Sequence, residues 1–198
     1  MTRIAVLVSG GGTNLQVLID SWKKGSFADG ELSLVISSVD GAYALERAKN
    51  AGIKTITIQR KKFNDITDFD SAIASELLQH NIDLVVLAGF LSILGPQVLK
   101  IFSDRIINVH PALIPAFSGK GFYGIKVHKA ALEKGVKVSG ATVHFVNEII
   151  DGGKIILQKA VDVVNGDTPE SLQERVKHEA EWILLPQAVA MYCKGEIK

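Results

Sequence analysis

The chain has 198 residues, 47% of them hydrophobic, so it can bury one sizeable core and a single domain over 1–198 is expected. The 22 basic and 21 acidic residues leave a formal net charge of +1, which gives no broad field for holding nucleic acid or an anionic membrane. The single cysteine, Cys193, excludes an intrachain disulfide and favours a reducing cytoplasm. The apolar runs suit neither a signal peptide nor a spanning helix, so a cytoplasmic protein is expected.

The first half of the chain alternates short apolar runs with helical patterns. Residues 3–9 predict a buried parallel strand, and after Gly10, Gly11 and Gly12 either Thr13 or Asn14 can cap a helix. Further strands are predicted at 32–37, 54–58 and 84–88, and further helices at 43–51 and 65–80. This alternation predicts an α/β fold with a doubly wound, mainly parallel sheet.

Ligands of such a sheet collect outside the carboxyl ends of its strands. That rule selects residues 9–14, 89–94 and 108–111, each at the end of an apolar run. The glycine turn at 10–12 places bare backbone amides at a helix N-terminus, where a phosphate is favoured. Its spacing fits neither the dinucleotide-binding pattern nor a Walker A loop. A tight turn that only lets the helix pack is the alternative.

The pattern changes after Pro111. Residues 115–124 contain a proline and three glycines, which predict an irregular, mobile loop before a short helix over 126–134. Two further strands, at 139–146 and 155–163, are expected to run antiparallel to one another. Thr168 and Pro169 begin the last helix.

Three polar groups in two distant segments suit acyl transfer. Asn108 and His110 alternate with apolar residues, so both side chains face the same way in an extended strand. Asp151 precedes two glycines between two strands, and such a sequence more often forms a simple turn than a catalytic segment. An amide can bind a carbonyl oxygen, an imidazole can stabilise charge and a carboxylate can carry a proton. For Asn108 and His110 the alternative is a hydrogen-bonded core histidine beside an asparagine turn.

Other charged and imidazole groups have simpler expected roles. His144 is expected to be a structural histidine on its strand, and the surface is the expected place of His80, His128 and His178. The run 60–62, Arg-Lys-Lys, is expected to be a solvated loop, although a ligand with carboxylates could use it.

Five segments in chain order carry a family resemblance. They are SGGGTNLQ (9–16), VLAGFLSIL (86–94), INVHPA (107–112), ATVHFV (141–146) and DGG (151–153). Together they closely resemble the phosphoribosylglycinamide formyltransferases, the folate-dependent GAR transformylases, over nearly the whole chain. The related formyltetrahydrofolate hydrolase and other folate-dependent formyltransferases share the Asn-x-His and Asp pieces, whereas the glycine-rich opening favours the GAR enzymes.

The resemblance implies a Rossmann-like formyltransferase fold and a reaction. The formyl group of 10-formyltetrahydrofolate, a co-substrate, would pass to the amine of 5-phosphoribosylglycinamide in de novo purine biosynthesis, giving formylglycinamide ribonucleotide and tetrahydrofolate. No metal is implied. The implied partners are small-molecule substrates, with neither nucleic acid nor membrane, and the chain would be a monomer or weak homodimer.

The resemblance also assigns residues to roles. The catalytic residues would be Asn108, His110 and Asp151. The substrate would be bound by Gly12, Thr13, Asn14, Gly89, Leu91, Val109, Pro111 and Glu181. The folate would be bound by Leu91, Ser92, Ile93, Leu94, Asn108, Asn147, Glu148, Ile149, Ile150 and Asp151. Residues 1–100 would form the phosphate and ribonucleotide half, and 101–198 the folate-binding and catalytic half.

Some positions depart from the family pattern. Arginines expected near the folate tail and the folate slot fall at Ile66 and Ser92, which leaves contacts to the glutamate tail open. One extra residue follows Val176, so Glu181 is chosen by its spacing to Pro186 and Glu179 is the alternative. A hydrolase, a transferase to another amine, and a phosphate-ligand sensor without chemistry are the rival functions.

Overall fold

The computed structural model describes residues 1–197, in which seven strands form one sheet. The strands are β1 (Arg3–Val8), β2 (Glu31–Ser37), β3 (Lys54–Thr57), β4 (Leu84–Leu87), β5 (Ile106–His110), β6 (Val138–Phe145) and β7 (Ile155–Asp162). Their order is β3-β2-β1-β4-β5-β6-β7. The first five run parallel, and β6 runs antiparallel to both β5 and β7. The predicted doubly wound, mainly parallel sheet with an antiparallel C-terminal part is confirmed, and Lys198 lies outside the described residues.

Helices cover both faces of this sheet. They are α1 (Thr13–Lys23), α2 (Tyr43–Asn50), α3 (Ile66–Gln79), α4 (Pro96–Ile101), α5 (Ile125–Lys134), α6 (Pro169–Val176) and α7 (Trp182–Cys193). Alternate residues of β1 enter two separate buried clusters, Ile4 and Val6 in one and Ala5 and Leu7 in the other. Burial on both faces explains why the parallel strands are continuous apolar runs. In the described range no helix has the length and apolar character needed to cross a bilayer.

The strand order reverses between β1 and β4, and this reversal positions the site. From β1 the chain moves outward to β2 and β3, then returns to β4 and continues to β5 on the other side. At such a switch point the connections leave in opposite directions, so a crevice opens at the carboxyl ends of the two strands.

Helix α4 was not predicted, because its region is interrupted by Gly95 and Pro96. The buried carboxylate of Asp70 on α3 accepts hydrogen bonds from the backbone N–H groups of Gly95 (2.7 Å), Gln97 (2.8 Å) and Val98 (3.1 Å). These bonds satisfy the free amides that begin a helix. A distant side chain therefore fixes both α4 and the end of the 89–94 segment before it.

The predicted side-chain cap of α1 is wrong. Gly12 occupies the N-cap with φ 71°, and neither Thr13 nor Asn14 caps the helix. A Cβ at Gly12 would lie 2.6 Å from the Cβ of Ala44, so α2 packs directly on the turn. Asn14 instead donates from Nδ2 to Glu181 at 2.8 Å. The first-turn amides of α1 are thus not covered by a capping side chain.

The last helical region contains the extra residue noted in the sequence. Helix α6 begins at a Thr168–Ser171 capping box, and one turn of π-helix, Lys177–Glu181, joins it to α7. A π turn holds one residue more than an α turn, so it absorbs an insertion without moving the helix beyond it. Glu181 is buried, whereas Glu179 is exposed.

The expected surface position of His128 is wrong. Helix α5, which contains His128, packs against α6, and the His128 side chain is fully buried. Burial lowers the pKa of His128 to about 4, and the nearby charge of Lys177 lowers it further. His80 is partly buried, with Nδ1 2.8 Å from the carbonyl of Glu76, and His178 is exposed as expected. The residues next to His128 in sequence are polar, so they did not indicate that this side of α5 is buried.

Candidate active site

A cleft of about 820 Å³ opens where the strand order reverses. Segments 10–14, 87–94 and 108–111 line it together with Asp151 and Glu181. All the predicted catalytic and substrate-binding residues line this cleft, as do the predicted folate-binding residues other than Ile149. Ile149 lies in the adjacent turn, is 68% exposed and is not among the residues that line the cleft. The roles of these residues stay predictions.

His110 lies between two oxygen atoms. Its Nε2 is 2.8 Å from the carbonyl oxygen of Phe117, and its Nδ1 is 3.6 Å from Oδ2 of Asp151. The same Asp151 oxygen accepts the N–H of Gly119 at 2.8 Å. Both ring nitrogens of His110 therefore face acceptor oxygens. The carboxylate is at ion-pair distance from the ring, slightly beyond a direct hydrogen bond.

His144 is a site residue whose place in the cleft was not predicted. Its Nδ1 donates to the carbonyl of Phe145 at 2.8 Å, which leaves Nε2 as an acceptor for the Nδ2 group of Asn108 at 3.1 Å. Burial lowers the pKa of His144, partly opposed by the bond to Phe145, so the ring is neutral near pH 7. One N–H of Asn108 is thus used by His144, and the amide is held in a single orientation.

The pairing of β5 with β6 brings these groups together. Asn108 lies opposite His144, and His110 lies opposite Thr142. The alternation of Thr142 and His144 on β6 was visible in sequence, but only the register of the two strands shows that His144 meets Asn108.

The turn and site interpretations of Asp151 prove compatible. Asp151 lies in the turn between β6 and β7 with φ 55°, and Gly152 donates to the carbonyl of Ile149 at 2.9 Å. A Cβ at Gly153 would collide with the carbonyl of Phe145, so the chain folds tightly against the end of β6. Oδ1 of Asp151 is 3.7 Å from Nε2 of His144. The glycines therefore let the turn carry the carboxylate into the cleft.

The glycine turn is fixed from the side of α2. Ala44 donates its N–H to the carbonyl of Gly10 at 3.1 Å, and Nε of Arg47 donates to the carbonyl of Gly11 at 2.9 Å. In a trans peptide unit the N–H points opposite to the C=O. The N–H groups of Gly11 and Gly12 therefore point away from α2, and both glycines line the cleft. A phosphate is the group that such amides at a helix N-terminus favour.

Glu181 closes the same end of the cleft. Only 6% of its surface is exposed, and its carboxylate accepts the Nδ2 group of Asn14. Burial raises the pKa of Glu181, and the hydrogen bond from Asn14 opposes that rise. Lys177 also lines the cleft. Glu181 lines the cleft, whereas the exposed Glu179 does not.

The cleft at the switch point of this doubly wound sheet contains an amide, two imidazoles and a carboxylate. It also contains a glycine turn whose free amides suit a phosphate. These groups define a site for acyl-group transfer. The chain belongs to the formyl transferase family, whose model matches residues 2–189. The family agrees with the chemistry of the site.

Individual relatives extend the match over the whole chain. The chain is 38% identical to phosphoribosylglycinamide formyltransferase of Haemophilus influenzae over 198 residues, 100% of this chain and 90% of that protein. It is 45% identical to trifunctional purine biosynthetic protein adenosine-3 of Gallus gallus over 197 residues, 99% of this chain but only 19% of that protein. The crystal structure of glycinamide ribonucleotide transformylase 1 from Symbiobacterium toebii superposes with a TM-score of 0.92 at 42% identity, covering 98% of this chain and 89% of that one.

Proposed function

We propose that the chain transfers the formyl group of 10-formyltetrahydrofolate to the amine of 5-phosphoribosylglycinamide. The proposal rests on one observation: Asn108, His110 and Asp151 line the same cleft as the glycine turn at residues 10–12. The names of the relatives support the same reaction. Residues 1–100 supply most of the ribonucleotide contacts and 101–198 the catalytic groups, with Glu181 reaching across to Asn14.

The transfer is direct. The amine nitrogen of the substrate attacks the formyl carbon, and the bond from that carbon to the folate nitrogen then breaks. Asn108 uses one N–H for His144, so its other N–H is available to the developing oxyanion. His110 adds positive charge, and its Nε2–H can donate to the oxyanion only when the bond to Phe117 is released. No covalent enzyme intermediate is needed.

Asp151 handles the protons. Directly or through one water, it accepts the proton that the attacking amine loses, and it returns one to the folate nitrogen that leaves. Its carboxylate lies 3.6 Å from His110 and 3.7 Å from His144, within reach of both rings through one water. Each proton taken from the amine is matched by one given to the leaving group.

Most of the cleft residues assigned to the two substrates differ, and Leu91 is assigned to both. The ribonucleotide contacts are Gly12, Thr13, Asn14, Gly89, Leu91, Val109, Pro111 and Glu181. On the folate side Leu91 and Ile93 are 64% and 59% exposed, an apolar wall that a bound ring system would cover. Asn147, Glu148 and Ile150 also line the cleft, with Asp151.

Several further properties remain predictions. We predict that the reaction uses no metal. We predict a cytoplasmic monomer or weak homodimer with no nucleic-acid or membrane partner.

A two-part assay tests the proposal. The protein is mixed with 10-formyltetrahydrofolate, with and without 5-phosphoribosylglycinamide, and folate deformylation is followed by absorbance. We expect deformylation only when the ribonucleotide is present. Deformylation without it would favour the hydrolase, and none in either mixture would favour the phosphate sensor.

Arg47 is predicted to support substrate binding through the glycine turn. Because Arg47 donates to the Gly11 carbonyl, Arg47→Ala should free that peptide and raise the KM for the ribonucleotide by about 10-fold, the scale of one charged hydrogen bond. The kcat should change much less. The control is Gln16→Ala, which removes only the second partner of the guanidinium, at 3.0 Å. An unchanged KM in Arg47→Ala would show that the turn holds its shape alone.

A further inference from the structure

The segment that follows β5 is held by two side chains of the antiparallel strands. Thr142 on β6 is fully buried, and its hydroxyl donates to the carbonyl of Ala112 at 2.7 Å and accepts the N–H of Ile114 at 3.1 Å. Gln158 on β7 donates from Nε2 to the carbonyl of Ile114 at 3.1 Å and to the hydroxyl of Thr142 at 3.0 Å. The two side chains therefore bind three backbone groups of residues 112–114.

The donors and acceptors of this group match one for one. A hydroxyl has one donor and can accept two hydrogen bonds, and the hydroxyl of Thr142 makes all three. The amide nitrogen of Gln158 has two N–H groups, and its two bonds use both. Removing the Gln158 amide would therefore free the Ile114 carbonyl and one acceptor site of the Thr142 hydroxyl.

The strand register places Gln158 in one row with His110. Thr142 lies opposite His110 on β5 and opposite Gln158 on β7. Residues directly opposite one another in antiparallel strands point to the same face of the sheet. Gln158 is thus two strands away from His110 and does not line the cleft, so it can reach the site only through the segment that it binds.

That segment leads to two backbone groups at the site. Three residues after Ile114, the carbonyl of Phe117 lies 2.8 Å from Nε2 of His110. Two residues further on, the N–H of Gly119 donates to Asp151 at 2.8 Å. The chain between Ile114 and Phe117 is too short to absorb a large shift, so the position of Ile114 constrains that of Phe117.

We infer that Gln158 is a positioning residue for the formyl transfer, because together with Thr142 it fixes the start of the 115–124 loop. The inference rests on the proposed function. The loop carries the backbone groups that contact His110 and Asp151, so a displaced loop start would displace both contacts.

Gln158→Met tests this inference, because methionine keeps the length of the side chain and removes both N–H donors. We expect kcat to fall by about 10-fold, the scale of two neutral hydrogen bonds, while the KM for each substrate changes much less. Gln158 is exposed, so the fold should persist and the thermal midpoint should move little. The matched control is Gln79→Met, at the exposed end of α3 and outside the cleft, which should leave kcat unchanged.

Trypsin cleavage after Lys120 reports on the loop without any turnover. Lys120 is exposed within the 115–124 loop. A loosened loop start should open this segment more often and speed its cleavage in Gln158→Met, but not in Gln79→Met. Unchanged cleavage in Gln158→Met would overturn the inference.

Thr142 provides a test of coupling. Thr142→Val removes the hydroxyl, whereas Thr142→Ser retains it and should keep a near-native kcat. Because both side chains hold the same segment, the fall in kcat of Thr142→Val/Gln158→Met should be smaller than the product of the two single falls.

Three kinetic results would also overturn the inference. They are a native kcat in Gln158→Met, a loss confined to KM or to stability, and a double variant whose loss equals the product of the single losses. Absence of formyl transfer in the unaltered chain would instead overturn the proposed function, so the two failures are distinguishable.

Discussion

Asn108→Ala is expected to lower kcat by about 10² to 10³, the usual loss when one oxyanion donor is removed. The amide lies in the cleft with one N–H fixed by His144, so its orientation is set before the substrate binds. Binding of both substrates should be largely retained, because the donor acts mainly on charge that develops in the transition state. Steady-state kinetics and substrate titration of the variant measure the two effects separately.

The matched control for this substitution is Asn50→Ala. Asn50 is the exposed last residue of α2, so the same chemical change there should leave kcat within about twofold, as surface changes usually do. Near-native turnover in Asn108→Ala would remove Asn108 from the catalytic group.

Asp151→Asn is expected to lower kcat by about 10² to 10⁴, the range for loss of general acid-base catalysis. The substitution keeps the shape of the side chain, and asparagine tolerates the positive φ of 55° at this position. An amide oxygen can still accept the Gly119 N–H, so the turn should persist. The thermal midpoint should therefore move little while turnover is lost.

Asp104→Asn is the control for Asp151. Asp104 is exposed and has nearly the same backbone conformation, with φ 56°, but it lies outside the cleft. Both variants should have similar stability, and only Asp151→Asn should lose turnover. If Asp151→Asn lost stability alone, the residue would be a turn former and nothing more.

The parallel part of the fold could be predicted because each strand leaves a local signal. Strands buried on both faces are continuous apolar runs, and glycines or caps mark the helices between them. Helix α4 could not be predicted, because the carboxylate that begins it belongs to Asp70, on another helix. The cap of α1 was misjudged because Asn14 bonds to Glu181, which is 167 residues away in sequence.

The candidate site also contains some residues that the sequence predicts and others that it does not. Asn108 and His110 follow from strand alternation and the switch-point rule, both of which can be applied to a sequence. Asp151 could be brought to them only through the family resemblance, and His144 only through the register of β5 and β6. The contacts from Phe117 and Gly119 are made by backbone atoms of an irregular loop, which side-chain patterns do not encode.

Direct passage of the formyl group from the folate to the ribonucleotide amine, in the cleft that contains Asn108, His110 and Asp151, is the step on which the proposed function depends. It is tested most directly by a single turnover with 10-formyltetrahydrofolate labelled in the formyl carbon, with 5-phosphoribosylglycinamide present in excess. The label is expected to appear in formylglycinamide ribonucleotide, without passing through free formate or a covalently labelled protein. Label recovered as formate, or bound covalently to the chain, would contradict it.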